Sequence, residues 1–173
     1  MKSLKIISFF VLLTFCQLIT GQQPDSGWER WRHLIGEWTG EGSGQPGENQ
    51  GTFSFQTELD GNILVRKSHT VFPPTANSPA KVHDDLLIVY RVPPGGAQEA
   101  IYFDNEGNMI KYRVSFTENS VVLTSDPTTN VPVFRFTYVT IDSKTVNIAF
   151  EMAPPQNPQE FKMYLSGKAF KVK

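Results

Sequence analysis

Short segments in which hydrophobic and polar residues alternate dominate this chain, a pattern typical of β-strands with one buried face. The alternation is clearest in residues 52–59, where Phe53 and Phe55 share a face, and in residues 109–116. Turn-forming residues separate the segments, as at Asp60-Gly61, and indicate hairpins. Residues 25–34 are different, because their apolar residues recur at helical spacing and predict one short helix.

Consecutive strands joined by short turns predict an all-β protein. The expected fold is a single up-and-down antiparallel β-barrel of about ten strands after the short N-terminal helix, because barrel closure removes exposed sheet edges. A two-sheet β-sandwich is the alternative. The predicted strands occupy residues 36–44, 52–59, 62–72, 85–92, 100–103, 109–116, 121–124, 133–141, 146–152 and 161–172.

The N-terminus has the pattern of a secretory signal. Lys2 and Lys5 precede an apolar run over residues 6–15, and small residues follow at Thr20-Gly21. The run is shorter than the roughly 20 residues that a membrane span needs, so stable membrane insertion is not expected. We therefore expect a signal peptide over residues 1–21, a secreted or periplasmic location, and one barrel domain over residues 22–173.

Composition narrows the classes of partner. Without Lys2 and Lys5 the chain has 14 basic and 17 acidic residues, which argues against nucleic acid as a partner. Cys16, the only cysteine, falls in the predicted signal, so the barrel domain is expected to lack disulfides. Lipidation of Cys16 is an open alternative, although bulky Phe15 precedes it where a small residue is usual.

The first predicted strand carries a family resemblance. Its sequence Gly36-x-Trp38-x-Gly40-x-Gly42-x-Gly44 resembles the opening of nitrobindin-type barrels, and the Gly-x-Trp element after a short helix is similar to the lipocalin and fatty-acid-binding (calycin) superfamily. It also resembles a bacterial family of small secreted lipocalin-like domains with no assigned function. The resemblance implies a ten-stranded barrel with an internal cavity, a small apolar ligand, and Trp38 closing the barrel floor.

The predicted closing strand differs from the closing strands of nitrobindin-type barrels and of fatty-acid binders. Nitrobindin-type barrels bind haem iron through a histidine in that strand, but residues 160–168 contain none, so no cofactor is expected. Intracellular fatty-acid binders hold a carboxylate with Arg-x-Tyr at this place. Lys162-Met163-Tyr164 is similar to that element with a poorer bidentate donor, which makes Tyr164 a candidate ligand contact.

Cations and imidazoles in the middle of the chain are the other candidates. Alternation places Lys67 and His69 on one face of residues 62–72 and Arg66 on the other, and one face must line the barrel. A buried cation needs a carboxylate partner or an anionic ligand, which favours a ligand with an acid group. The alternative is that these cations lie at a rim and reach water.

His83 and Asp84 form the remaining candidate pair. A histidine beside a carboxylate is the minimum for general-base catalysis and also supplies possible metal ligands. The alternative is a solvent-exposed cap on the preceding loop. No serine nucleophile elbow, His-Glu-x-x-His or Walker sequence occurs, and the Gly-x-Gly-x-x-Gly string at residues 42–47 precedes a strand instead of a helix, so an enzyme is the less favoured class.

Together these features predict a secreted or periplasmic lipocalin-like protein that binds a small hydrophobic or carboxylate-bearing amphipathic ligand inside the barrel. The alternatives are a haem- or metal-binding barrel that uses His69 or His83, and an enzyme that uses His83 with Asp84. The predicted ligand-binding residues are Trp38, Arg66, Lys67, His69, His83 and Tyr164.

Overall fold

The structure, a computed structural model, describes residues 27–42, 51–74, 78–93 and 96–172. The predicted signal peptide with Cys16, the first residues of the predicted helix and most of the Gly-x-Gly-x-x-Gly string lie outside these residues. The strands are β1 (Gly36–Gly42), β2 (Gly51–Glu58), β3 (Ile63–Phe72), β4 (Lys81–Val92), β5 (Ala97–Asp104), β6 (Met109–Phe116), β7 (Ser120–Ser125), β8 (Val133–Thr140), β9 (Thr145–Ala153) and β10 (Lys162–Lys171).

The ten strands form one closed antiparallel barrel in which each strand pairs with its neighbours in the sequence. Strand β1 closes the barrel by pairing with both β2 and β10, and Trp38 lies opposite Phe53 on one side and Lys171 on the other. The prediction of an up-and-down barrel is therefore confirmed, and the sandwich alternative is wrong. Closure gives every strand two partners and leaves no sheet edge to template aggregation.

The predicted N-terminal helix is wrong in type. Within the described residues it is a 3-10 helix over Glu29–Trp31 that continues as a turn to Leu34. The amides of Trp31 and Leu34 bond to the carbonyls three residues earlier, at 2.8 and 2.7 Å. The reason lies in the spacing of Trp28, Trp31 and Leu34, because residues three apart align along one side of a 3-10 helix.

These three side chains close one end of the barrel, which we call the closed end. The Trp31 ring lies 5.7 Å from the Phe55 ring and 6.1 Å from the Phe116 ring, and its indole nitrogen donates to the side chain of Gln98 at 2.7 Å. The Trp38 indole donates to the Leu34 carbonyl at 2.7 Å, so Trp38 ties β1 to this plug. Both indole N–H groups are satisfied in a buried site, as a stable plug requires.

At the opposite end, which we call the mouth, strands β1, β3, β5, β7 and β9 end and strands β2, β4, β6, β8 and β10 begin. Small residues on β1 and β10 line one side of the barrel towards the mouth, where Gly40 lies opposite Ala169. A Cβ built on Gly40 would lie 3.4 Å from the Gly51 carbonyl oxygen, with no side-chain atom of the described residues within 4 Å. Among the described residues, only the backbone of β2 thus approaches this position closely.

We expect Trp31→Ala to lower the free energy of unfolding by about 3–5 kcal/mol, because it empties the centre of the closed end. Met109→Ala is the control, since Met109 is 59% exposed, and it should change stability by no more than about 0.5 kcal/mol. Urea unfolding followed by circular dichroism measures both. An equal loss of unfolding free energy in the two variants would contradict a central role of Trp31 in packing the closed end.

Candidate functional site

Two chemically different walls face each other at the mouth. One wall is apolar and comes from strands β6, β8 and β9, whose inward positions continue the faces of buried Tyr112 and Tyr138. Although these side chains point inward, they are only partly buried, so the interior at this end is accessible to water. The members of this apolar wall are Ile110, Phe134, Phe136, Ile148 and Phe150.

The aromatic members of the apolar wall hold one another in place. The Phe134 and Phe150 rings stack at 5.9 Å with 6° between their planes, and Phe136 lies 5.9 Å from Phe150. Tyr164 meets the Phe150 ring edge-on at 5.9 Å and is 55% exposed. Tyr164 follows Met163 at a register irregularity in β10, where the strand bends next to the mouth. An apolar surface with fixed ring geometry results.

The facing wall, on β3 to β5, is a polar network. Arg66 donates to Asp85 at 2.7 Å, and both side chains are at least nine-tenths buried. His83 Nε2 lies 3.7 Å from the second oxygen of Asp85 and 3.1 Å from the Tyr102 hydroxyl. That hydroxyl donates to Asp104 Oδ2 at 3.2 Å. These contacts form one continuous chain of polar groups from the barrel interior to its mouth.

Arg66 is the deepest member of the network. Its guanidinium lies between the rings of Phe53 and Phe136, at 5.5 and 5.4 Å from their centroids. Burial disfavours its charge, but the Asp85 carboxylate opposes this effect and the Arg66 pKa is raised. Arg66 Nε and the Tyr138 hydroxyl are buried without a hydrogen-bond partner in the part of the chain that the structure describes. Such unpaired groups are rare in folded proteins and need an explanation.

The phenols near Arg66 remain neutral. Burial, together with the negative charge of Asp85, raises the pKa of Tyr102, Tyr112 and Tyr138, while Arg66 opposes the shift in part. A neutral phenol keeps its proton and can donate it in a hydrogen bond. The network therefore presents neutral hydroxyl groups around one ion pair.

The carboxylates nearest the mouth are stabilised in their charged form. Burial alone would raise the pKa of Asp104, but hydrogen bonds from Asn108, from the Glu106 amide and from Tyr102 lower it. The hydrogen bond from Lys81, at 2.6 Å, lowers the pKa of Glu106, and His83 adds to the effect. Both groups thus carry full negative charge at neutral pH.

Of the predicted site residues on β3, only Arg66 lines the interior. Lys67 and His69 lie on the outer surface, where His69 Nδ1 contacts Asp84 at 2.6 Å. The prediction that His83 pairs with Asp84 is wrong, because alternation along β4 turns Asp84 outward while His83 and Asp85 face inward. Trp38 is buried beside the closed end, and Tyr164 lies at the mouth, as described above.

Four residues of the network, Asp85, Tyr102, Asp104 and Glu106, are not among the predicted site residues. Asp85 begins a nearly continuous apolar run, and a charge on the inward face of such a strand is itself a signal of an internal partner. Asp104 and Glu106 belong to a hairpin sequence. Forming the turn already explains both residues, so nothing in the sequence indicated an additional role in a site. Tyr102 had no local signal that separated it from the other core aromatics.

Surface shape alone does not identify this site. One surface depression of about 460 Å³ follows residues 156–160, and another of about 160 Å³ lies between Arg30 and Thr140. Neither is lined by a member of the polar network. The buried charges and the unpaired polar atoms identify the mouth as the candidate site instead.

Comparisons with known proteins add no assignment: no protein-family model matches the chain, and no curated protein matches it. The likeness to calycin barrels therefore stays a prediction from the first strand. No helix in the described residues is long and apolar enough to cross a membrane.

We expect Asp85→Ala to destabilise the fold by about 3–5 kcal/mol, because it leaves the Arg66 charge buried and unpaired. The adjacent Asp84→Ala is the matched control, since it removes an exposed contact with His69 and should cost less than about 1 kcal/mol. Urea unfolding provides the comparison. In the double variant Arg66→Met/Asp85→Ala, part of the loss should be recovered; a double variant weaker than Asp85→Ala would refute the unpaired charge as the cause.

Acid should weaken the fold through Asp104. Because its pKa is lower in the folded protein than the ordinary 3.8, its contribution is complete above that value and is lost as the pH falls through the folded pKa. Asp104→Asn should therefore flatten the decrease in unfolding free energy below about pH 4. Denaturant titrations at a series of acidic pH values test this, and an unchanged slope would rule it out.

Proposed function

We propose that this protein is a secreted or periplasmic, lipocalin-like binding protein that holds a small hydrophobic or amphipathic molecule in the mouth of its barrel. The observation that carries the proposal is the partly accessible apolar wall inside the mouth, which faces a polar wall with the buried and unpaired Nε of Arg66. A concave apolar site with a few converging polar groups is the usual form of a small-molecule site. The signal pattern of residues 1–21 supports the location.

The apolar wall supplies the affinity. Phe134, Phe136 and Phe150 keep part of their surface accessible inside the barrel, and a bound alkyl or aromatic group would remove that surface from water. Burial of apolar area contributes about 25 cal/mol per Å². Since the rings already stack on one another, little conformational entropy is lost when a ligand covers them.

The polar wall orients the ligand. A polar end group would first meet His83 and the Tyr102 hydroxyl, whereas the unpaired Nε of Arg66 is more deeply buried. Asp85 already neutralises Arg66, so a neutral acceptor such as a carbonyl or hydroxyl group suits this wall without adding a second negative charge. A carboxylate-bearing ligand would need His83 or Lys81 to balance its charge.

The test uses protein freed of lipid by unfolding and refolding, with displacement of the fluorescent probe 1-anilinonaphthalene-8-sulfonate by n-alkyl alcohols, acids and amines of increasing length. We expect saturable binding at a single site whose affinity rises about three- to four-fold per methylene, which corresponds to about 0.8 kcal/mol. The rise should stop when the chain fills the mouth. If the polar wall prefers a neutral acceptor, the alcohol should bind more tightly than the acid of equal length.

Two phenylalanine variants localise the binding. Phe150→Asn removes part of the apolar wall and should weaken binding at least about ten-fold, whereas Phe170→Asn alters the outer face of β10 and should leave it unchanged. An absence of saturable binding for all three series, or equal losses in both variants, would overturn the proposal. Preference for the acid would instead support the carboxylate-bearing ligand.

A further inference from the structure

Three potential metal ligands converge where the polar network reaches the mouth. They are His83 on β4, Asp104 at the end of β5, and Glu106 in the β5–β6 hairpin, and one ligand atom from each lies within 4.8 Å of the others. The register between β4 and β5 sets the approach of His83 and Asp104, and the β5–β6 turn brings Glu106 alongside them. None of them forms part of the apolar wall.

Backbone register and turn geometry bring them together. Asp85 lies opposite Asp104, which places the end of β5 next to His83. Asp104 then accepts hydrogen bonds from the amides of Glu106 and Asn108 at 3.0 and 2.9 Å, and these bonds fold the hairpin tightly. As a result Glu106 Oε1 lies 3.2 Å from His83 Nδ1.

The charges at this point favour a cation. Asp85, Asp104 and Glu106 contribute three negative charges, whereas Arg66 and Lys81 contribute two positive ones. Lys81 Nζ lies 2.6 Å from Glu106 Oε1, so this carboxylate already pairs with a cation. Because the pair is exposed to water, a metal ion can displace the ammonium group from it.

We propose that His83, Asp104 and Glu106 bind a divalent transition-metal ion of the zinc type at the mouth of the barrel. One imidazole and two carboxylates are a suitable donor set for such an ion. Three protein ligands leave a fourth position for water or for an oxygen atom of a bound molecule. This site does not depend on the proposed binding of an amphipathic molecule.

Only a small rearrangement is required. Tetrahedral zinc with ligands at about 2.0–2.2 Å keeps its ligand atoms about 3.3–3.6 Å apart, so the group must contract by about 1 Å. Glu106 lies on an exposed turn and can rotate towards the ion as it releases Lys81. His83 is held by Tyr102, which fixes the ring as outer hydrogen bonds do in metal sites.

The experiment measures Zn²⁺ binding to the full chain by equilibrium dialysis, and the visible absorption of Co²⁺ as its substitute. Every variant carries Cys16→Ser, so that the only thiol cannot bind metal. We expect one bound ion in the parent. His83→Gln and Glu106→Gln should each weaken Zn²⁺ binding at least about ten-fold, and His83→Gln should abolish the Co²⁺ absorption.

The outer-surface pair provides the matched control. His69 contacts Asp84 much as His83 contacts Glu106, but among the described residues it belongs to no three-ligand group. His69→Gln should therefore change Zn²⁺ affinity less than about two-fold. Lys81→Met should strengthen binding, because it frees Glu106 from its ammonium partner.

Circular dichroism checks that each variant folds. If His83→Gln does not fold, Glu106→Gln, which alters only an exposed turn, provides the test of the site. Stoichiometric binding lost with His83 and Glu106 but kept with His69 supports the site. Absence of stoichiometric binding in the parent, equal losses in both histidine variants, or weaker binding in Lys81→Met would overturn it. Because no amphipathic ligand is present, this outcome is separate from the test of the barrel mouth.

Discussion

The ion pair between Arg66 and Asp85 divides this barrel into two chemically different halves. Towards the closed end most of the inward side chains are apolar, and the tryptophans of the N-terminal turn complete their packing. Towards the mouth the same strands carry His83, Tyr102 and Asp104 instead. A buried ion pair contributes little to stability compared with apolar residues of the same size, since desolvation offsets its attraction. Its presence is better explained by the polar groups that it organises.

The two ends also differ in how their interior is filled. At the closed end Trp28, Trp31 and Leu34 enter from outside the sheet and occupy the space that ten strands enclose. At the mouth, Gly40 and Gly167 contribute no side chain to the interior. A Cβ on Gly167 would lie only 3.1 Å from the Glu41 carbonyl oxygen, so close approach of β1 and β10 accounts for that glycine. The glycines at the junction of β1 and β10 thus reflect close backbone packing.

The register of β3 and β4, to within one residue, determines which of their side chains line the barrel interior. On β3, residues 62–72 carry cations on both faces, and the sequence provided no reason to choose between them. Pairing with β4 turns Arg66 inward towards Leu87 and sends Lys67 and His69 to the surface. Because the side-chain period of a strand is two, a shift by one residue would exchange the two sets. Asp84 and Asp85 are separated by the same rule: one contacts an outer histidine and the other neutralises the buried arginine.

Alternation and turn residues are local properties, and they predicted the all-β class and the hairpin order. They favoured a closed barrel over a sandwich, but the pairing of β1 with β10 decided between the two. The same local signals failed at residues 25–34, where the spacing of three apolar side chains favoured a 3-10 turn over the predicted helix. The candidate site is different in kind. Arg66, His83, Asp104 and Glu106 come from separate strands, and their partners follow from inter-strand register. Register depends on the packing of the whole barrel, so only the tertiary structure could bring these side chains together.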